Sequence, residues 1–458
     1  MGSIRAATGK SAARARTSRA SRTSRTSRDV RLFWWASATD ALGTQASGVV
    51  LPLLLLGLGY SAAVVGLIAG VSTAAGLLLA PLAAVPADRG ARKPVMFWSA
   101  VVSALAMAAV TVAVAAGGPP LVLLLGVVLL ERFSTAVYEA AAAGTVVLIA
   151  PPDDNARVVA GLSAGDQGAL ILGPALGGAL YQASRALPFL ADTVSYAVAA
   201  VCVRALRSDL RPAKPEPAPE PVLDASAPVV RDASGPASTP EPPHPRRRSA
   251  LVAELGAGLA LVRTSPFLRL VLLWTTTVNG VIVALYYGAV FTLHDGGHGG
   301  GPMGLVLALS GAAGLVGSLA APRIAGRIGA ARLLVTVTWL LVPLAAGLAT
   351  AKGPWAYGGL FGVFCLLMPL VTVVLQSRAI QETPPHLQAR TGAVLGTAVG
   401  GSAALAPVLA GLFAARAGTA APAVVCAGVL TLLACRTTFV RIPPGGVPGP
   451  VPPKGATV

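Results

Sequence analysis

Charge is scarce in this 458-residue sequence. Asp, Glu, Lys and Arg make up 12% of it, against roughly 25% in soluble domains. Acids are scarcest, 18 against 35 basic residues. There are only four cysteines, Cys202, Cys365, Cys426 and Cys435, all in apolar segments and without CxxC or Cys/His spacing. That pattern excludes a disulfide framework and a thiolate metal site. The four histidines, His244, His294, His298 and His386, fall in polar stretches or loops. The run HDGGHGGG around His294 and His298 is too glycine-rich for a helix that could present both to a metal, so none is expected. No GxxxxGK[ST] phosphate loop and no Ser/His/Asp set is present, which excludes an ATP-driven pump and leaves no catalytic constellation. The chain is therefore not expected to be an enzyme, and no cofactor is implied. The net charge of +17 does not indicate a nucleic-acid partner either. The basic residues lie in tails and loops, not on one face of a packed domain.

What fills the chain instead is apolar sequence. Hydrophobic residues make up 54%, and from Leu32 to Val440 they form blocks long enough to cross a bilayer, which takes roughly 20 residues at 1.5 Å each. Twelve spans are expected, at 33–56, 61–84, 95–116, 121–145, 158–182 and 187–205, then at 267–292, 302–321, 333–350, 355–377, 391–415 and 419–439. The fold class is an all-α membrane protein of twelve transmembrane helices in two pseudo-symmetric six-helix halves. Residues 1–32, with their Ser-Arg repeats and no apolar core, read as a basic disordered cytoplasmic tail and not a signal peptide. The N-terminal half is 33–205. Residues 206–250 contain KPEPAPEP and STPEPPHP and read as a flexible cytoplasmic linker. The C-terminal half is 251–440, opened by an interfacial lead-in at 251–266. Residues 441–458 read as a disordered cytoplasmic tail.

Loop charge gives the orientation. With the N-terminus inside, the outer loops lie near Gly57, Gly117, Ser184, Gly296, Ala351 and Gly418, and only Arg185, Lys352 and Arg416 are basic there. Nearly all the other basic residues then face the cytoplasm, as the positive-inside rule requires. A multi-pass protein of the plasma (cell inner) membrane, with both termini cytoplasmic, is expected.

Six charged residues lie more than a turn inside the apolar blocks: Asp40, Glu131, Arg132, Glu139, Asp166 and Asp192. A charge at bilayer depth costs at least roughly 2.5–3.5 kcal/mol, so such residues mark pathways or sites. Asp192, near the start of span six, is expected at the interface. The others fall on stripes: Arg132, Thr135 and Glu139 on one face of span four, Asp40, Thr44 and Ser47 on span one, Ser163, Asp166, Gln167 and Gly173 on span five. Burial disfavours an ionised carboxyl and a nearby guanidinium favours it. One acid, Glu131 or Glu139, is expected as the ion-pair partner of Arg132, while another exchanges protons. Asp40 and an Arg132–Glu139 pair are the leading candidates for linking proton and substrate, with Asp166 in reserve. Spans seven to twelve carry no acid at depth; Asn279, Tyr286, Tyr287 and Gln376 suit an amphipathic organic ligand.

The halves also repeat one another. PADRGARK (86–93) follows span two and RIAGRIGAAR (323–332) follows span eight; GALILGPALGG (168–178) in span five is matched by GAVLGTAVGGSAALAP (392–407) in span eleven. Parallel repeats of this kind describe the halves of major facilitator transporters. The chain resembles that superfamily over roughly 33–440, and within it is similar to bacterial exporters of drugs, siderophores and macrolides. Asp88, Arg89, Arg92 and Lys93 match the family's loop motif between spans two and three, with Ala84 and Ala91 replacing its two glycines. The resemblance implies a cytoplasmic latch whose Asp pairs with a neighbouring helix end. Gly173, Pro174, Gly177 and Gly178 resemble the GPxxGG motif of export members, with Ala169 in place of its upstream glycine. Arg132 resembles the buried arginine of a third motif, although Thr135 and Ala136 stand where Gln and Gly would be. Gly43-Thr44 stands where many siderophore exporters have Gly-Asp.

The expected function is secondary active export of a small organic molecule, a drug or natural product, by proton antiport and alternating access. The expected partners are substrate, protons and the lipid bilayer, with the protein acting as a monomer. An importer of the same fold, or a non-transporting membrane sensor or partner protein, is the alternative. Four cavity-depth acids against one arginine would favour a cationic or neutral substrate.

Overall fold

The computed structural model describes residues 2–88, 92–143, 145–149, 154–208, 210 and 259–439. They form twelve long helices: α1 (Gly2–Gly57), α2 (Ala62–Asp88), α3 (Arg92–Ala115), α4 (Leu121–Ala143), α5 (Asn155–Ala183), α6 (Leu187–Ala205), α7 (Pro266–Asp295), α8 (Gly300–Ile328), α9 (Ala330–Thr350), α10 (Gly353–Glu382), α11 (Gln388–Ala417) and α12 (Ala421–Phe439). Each coincides with one expected span, and several run a turn or more further. In lipid every backbone polar group must be paired internally, so apolar blocks of this length settle as helices. Within each half most connections are short, and several turn on glycine: Gly329 at φ 83° is the single residue between α8 and α9, a conformation that L side chains avoid.

Eleven of these helices are long and apolar enough to cross a membrane on composition alone. The twelfth is α5, which carries Asp166, Gln167 and six glycines. Its low hydropathy has a packing reason: α5 lies against α1 on one side and α8 on the other. Elsewhere the large exposed apolar side chains, such as Leu78, Trp98, Val122 and Leu432, face outward as lipid contact requires.

Residues 2–31 are helical and continuous with α1; the stretch lacks proline and is rich in Ala and Arg, both good helix formers. Of the lead-in, 259–264 is helical, Ser265 breaks it and its hydroxyl caps α7 by accepting from Leu268 N–H. Residues 251–258, the linker from 211, and the tail 441–458 lie outside the described residues.

The packing is twofold. Within the first half α1 packs on α5 and α6, α2 on α4, and α3 on α4 and α6; within the second, α7 packs on α11 and α12, α8 on α10, and α9 on α10 and α12. The main contacts between halves obey the same symmetry, α2 with α11 and α5 with α8. The near end of the bundle is where the span of α1 begins, at Arg28, and the far end is where it finishes, at Gly57. Both inter-half seams are tightest toward the far end. A Cβ on Gly178 of α5 would lie 2.9 Å from Gly304 Cα of α8, and one on Gly411 of α11 would lie 3.2 Å from Ala63 Cα of α2.

At the near end the first half is tied shut. The Asp29 carboxylate accepts hydrogen bonds from the backbone N–H of Arg207 (3.1 Å) and Ser208 (2.7 Å), and from the Ser208 hydroxyl. Lys93 Nζ donates to the Leu206 carbonyl at 2.6 Å. The last turn of α6 is thereby held by α1 and α3.

Candidate functional site: an acidic cavity in the first half

Asp40, Arg132, Glu139 and Asp166 line one cavity of about 500 Å³, together with Ser37, Thr44, Gln45, Thr135 and Tyr138. The cavity is built by the first half of the α1 span, the second half of α4 and the start of α5, so it lies toward the near end, opposite the tight seams. The helical stripes read from the sequence converge here: residues one turn apart on α1 and α4 face the same space. Its walls hold three carboxyl groups and one guanidinium.

Glu131 does not belong to the cavity wall. It is buried behind it, and its Oε2 lies 3.6 Å from Arg132 Nε. The Glu131 side chain is 7% exposed and that of Arg132 40%, so the pair joins a buried acid to a base that reaches the cavity. Of the two acids expected as the ion-pair partner of Arg132, it is Glu131 that makes the pair. The reason is α6. The Tyr196 hydroxyl donates to Glu131 Oε1 at 2.7 Å, and Thr135 Oγ1 donates to the same oxygen at 3.0 Å. These bonds turn Glu131 inward and satisfy a carboxylate that would otherwise be costly to bury. Glu139, two turns along, is left facing the cavity.

Asp192, expected at the interface, is buried inside the protein, 1% exposed. Ser47 Oγ of α1 donates to it at 2.6 Å and Ser195 Oγ at 3.2 Å. The depth follows from the close approach of α1 to α6 at Gly43, where a Cβ would lie 2.8 Å from Ser195 Cβ. Thr44, beside it, contacts the Tyr196 hydroxyl at 3.1 Å. Sequence reasoning missed Tyr196 altogether. The signal available was its place one turn after Asp192 in LPFLADTVSY, on the same helix face.

The glycine motif has two faces. Gly173 and Gly177 meet α1, a Cβ on Gly177 falling 3.0 Å from Ala46 Cα, whereas Gly178 and the Pro174 carbonyl meet α8 at Gly304. Small residues here allow backbone-to-backbone packing in lipid, where burying apolar side chains gains little. Of the loop motif, Asp88 ends α2, Arg92 begins α3, and Lys93 holds the end of α6; Arg89 lies outside the described residues.

The architecture is thus two six-helix repeats joined by paired seams, with a polar cavity inside the first repeat. The chain belongs to the Major Facilitator Superfamily, which its sequence matches over residues 33–407. Secondary transport across a membrane, not catalysis, is the activity of that class. Among solved structures, the nucleoside transporter NupG is similar over 90% of this chain and 99% of its own, at TM-score 0.65 and 12% identity. A bacterial homologue of the human lysosomal transporter Spinster, in an inward-facing and unoccupied conformation, is similar over 90% and 96%, at 0.65 and 14%. A bacterial homologue of the iron transporter ferroportin, in an inward-facing state, is similar over 89% and 98%, at 0.61 and 14%. At such identities the likeness concerns the fold. No curated protein matches the sequence.

Proposed function

We propose that the protein exports a small organic molecule, cationic or neutral and of the drug or natural-product type, in exchange for protons. The observation that carries this reading is the cavity wall, where Asp40, Glu139 and Asp166 surround the single Arg132. Because Glu131 already partners Arg132, the cavity acids remain available to a cation or a proton. A carboxyl that gives up its proton to admit substrate links the two fluxes, since both ligands bias the same two-state protein.

The protein works as a monomer in the plasma membrane with both termini cytoplasmic. On that orientation the near end is the inner end. The cavity then lies toward the cytoplasm while the seams close the outer face, which is the conformation that loads an export substrate. Rocking of the halves about the seams delivers it outside. The GPxxGG resemblance at Gly173–Gly178 supports export over uptake.

The test is flux of tetraphenylphosphonium from proteoliposomes under an imposed pH gradient. The parent should move it only with the gradient, and Asp40→Asn, Glu139→Gln and Asp166→Asn, assayed singly, should lose coupling in at least one case. Unchanged gradient-driven flux in all three would remove the coupling site. Topology is tested separately with a reporter after Val458 and a cysteine at Ser234; labelling of either from outside intact cells contradicts the orientation.

A further inference from the structure

The halves repeat not only their contacts but also their cavities. The acidic cavity lies between the first, fourth and fifth helices of its half. The equivalent helices of the second half, α7, α10 and α11, enclose another of about 370 Å³. It too lies at the near end, where α7 and α11 begin and α10 finishes.

Its chemistry is the opposite. No lining residue is charged: the walls are aliphatic, with Thr275, Gln376, Thr383, Gln388 and Thr391 as the polar groups. Three of these use their donors internally. Thr275 Oγ1 donates to the Val271 carbonyl at 2.7 Å, Thr383 Oγ1 to Ala379 at 2.6 Å, and Gln388 Nε2 to Ile380 at 3.2 Å. Thr391 differs. It is 3% exposed, and its hydroxyl has no hydrogen-bond partner, a state that buried polar groups rarely keep. Beside it the helix surface is bare. A Cβ on Gly392 or Gly396, both of which line the cavity, would meet nothing within 4 Å.

We propose that this pocket is a second ligand site, which takes an uncharged, mainly aliphatic small molecule bearing a carbonyl or amide oxygen. The Thr391 hydroxyl donates to that oxygen, and the aliphatic part lies along Gly392 and Gly396. A charged ligand is rejected because it would shed its hydration without a counter-charge. This site does not depend on the exporter reading, since it uses no residue of the acidic cavity.

Binding is read directly, without flux. Full-length protein in nanodiscs is titrated by calorimetry with hexanamide, hexanoate or hexylammonium, and the heat from empty nanodiscs is subtracted. Hexanamide should bind saturably at one site per chain, and the two ions should not. Gly396→Leu places a side chain on the pocket wall, where a Cβ meets nothing within 4 Å, and should abolish the signal. Thr391→Val, which removes one hydrogen bond, should weaken binding roughly five-fold. Non-saturable heat, equal binding of the three probes, or undiminished hexanamide binding in Gly396→Leu would overturn the assignment. If Gly396→Leu does not insert, unchanged affinity in Thr391→Val does so alone.

Discussion

Replacing Gly178 with alanine adds one methyl group to the α5–α8 seam. In the present conformation that carbon would sit 2.9 Å from Gly304 Cα and would overlap the Gly300 carbonyl. Both obstacles are backbone, so no side-chain rotation relieves them and the helices must part. Overpacking of this kind costs about 1–3 kcal/mol. The cost falls only on states in which this seam is closed, so it acts as a bias between conformations. At about 2 kcal/mol the closed-to-open ratio at the far end drops roughly thirty-fold. Spin labels on Ala116→Cys and Lys352→Cys, in a background without the native cysteines, report this directly. Both sites are exposed at the far end, one in each half. Pulsed dipolar spectroscopy should show the longer-distance population grow in Gly178→Ala. Gly428→Ala, where a Cβ meets nothing within 4 Å, should match the parent. An unchanged distribution in Gly178→Ala, or the same change in Gly428→Ala, would refute the reasoning.

Tyr196→Phe removes the donor to Glu131 while keeping the ring, and should cost about 1.5–3 kcal/mol as a bond to a charged acceptor; a thermal melt equal to the parent's would count against the network. Asp192→Asn keeps an acceptor for Ser47 whereas Asp192→Leu does not, so the leucine variant should melt lower, and equal melting would show that the Ser47 contact is idle. Asp88→Asn should slow transport with insertion intact, and parental transport rates would remove the latch role from that loop.

The twelve spans were legible because a bilayer demands long apolar blocks, and a charge inside such a block stands out. Asp40, Arg132, Glu139 and Asp166 could be named together for that reason, and helical spacing put them on converging faces. Even α5, too polar to qualify by hydropathy, could be recognised from its length and glycine motif. Which acid pairs with Arg132 was not legible. Glu131 is its neighbour in sequence, and adjacent residues on a helix normally point apart; Tyr196, 65 residues away, joins Thr135 in turning Glu131 inward. The depth of Asp192 was hidden in the same way, because it depends on how closely α1 passes α6 at Gly43. Hydropathy reports how far a residue lies along its own helix, not what a neighbouring helix brings to it.

The Asp29 clamp bears on how the protein is made. Its two sides are 178 residues apart in the chain, one at the start of the first span and the other just after the sixth. The bond cannot form until α6 has been synthesised, and it requires nothing from the second half. Since domains generally fold as units in the order of their synthesis, the first six helices have a closing contact of their own, available while α7 is still to be made. The second half then inserts beside a partner whose acidic cavity and seam-forming glycines are already in place.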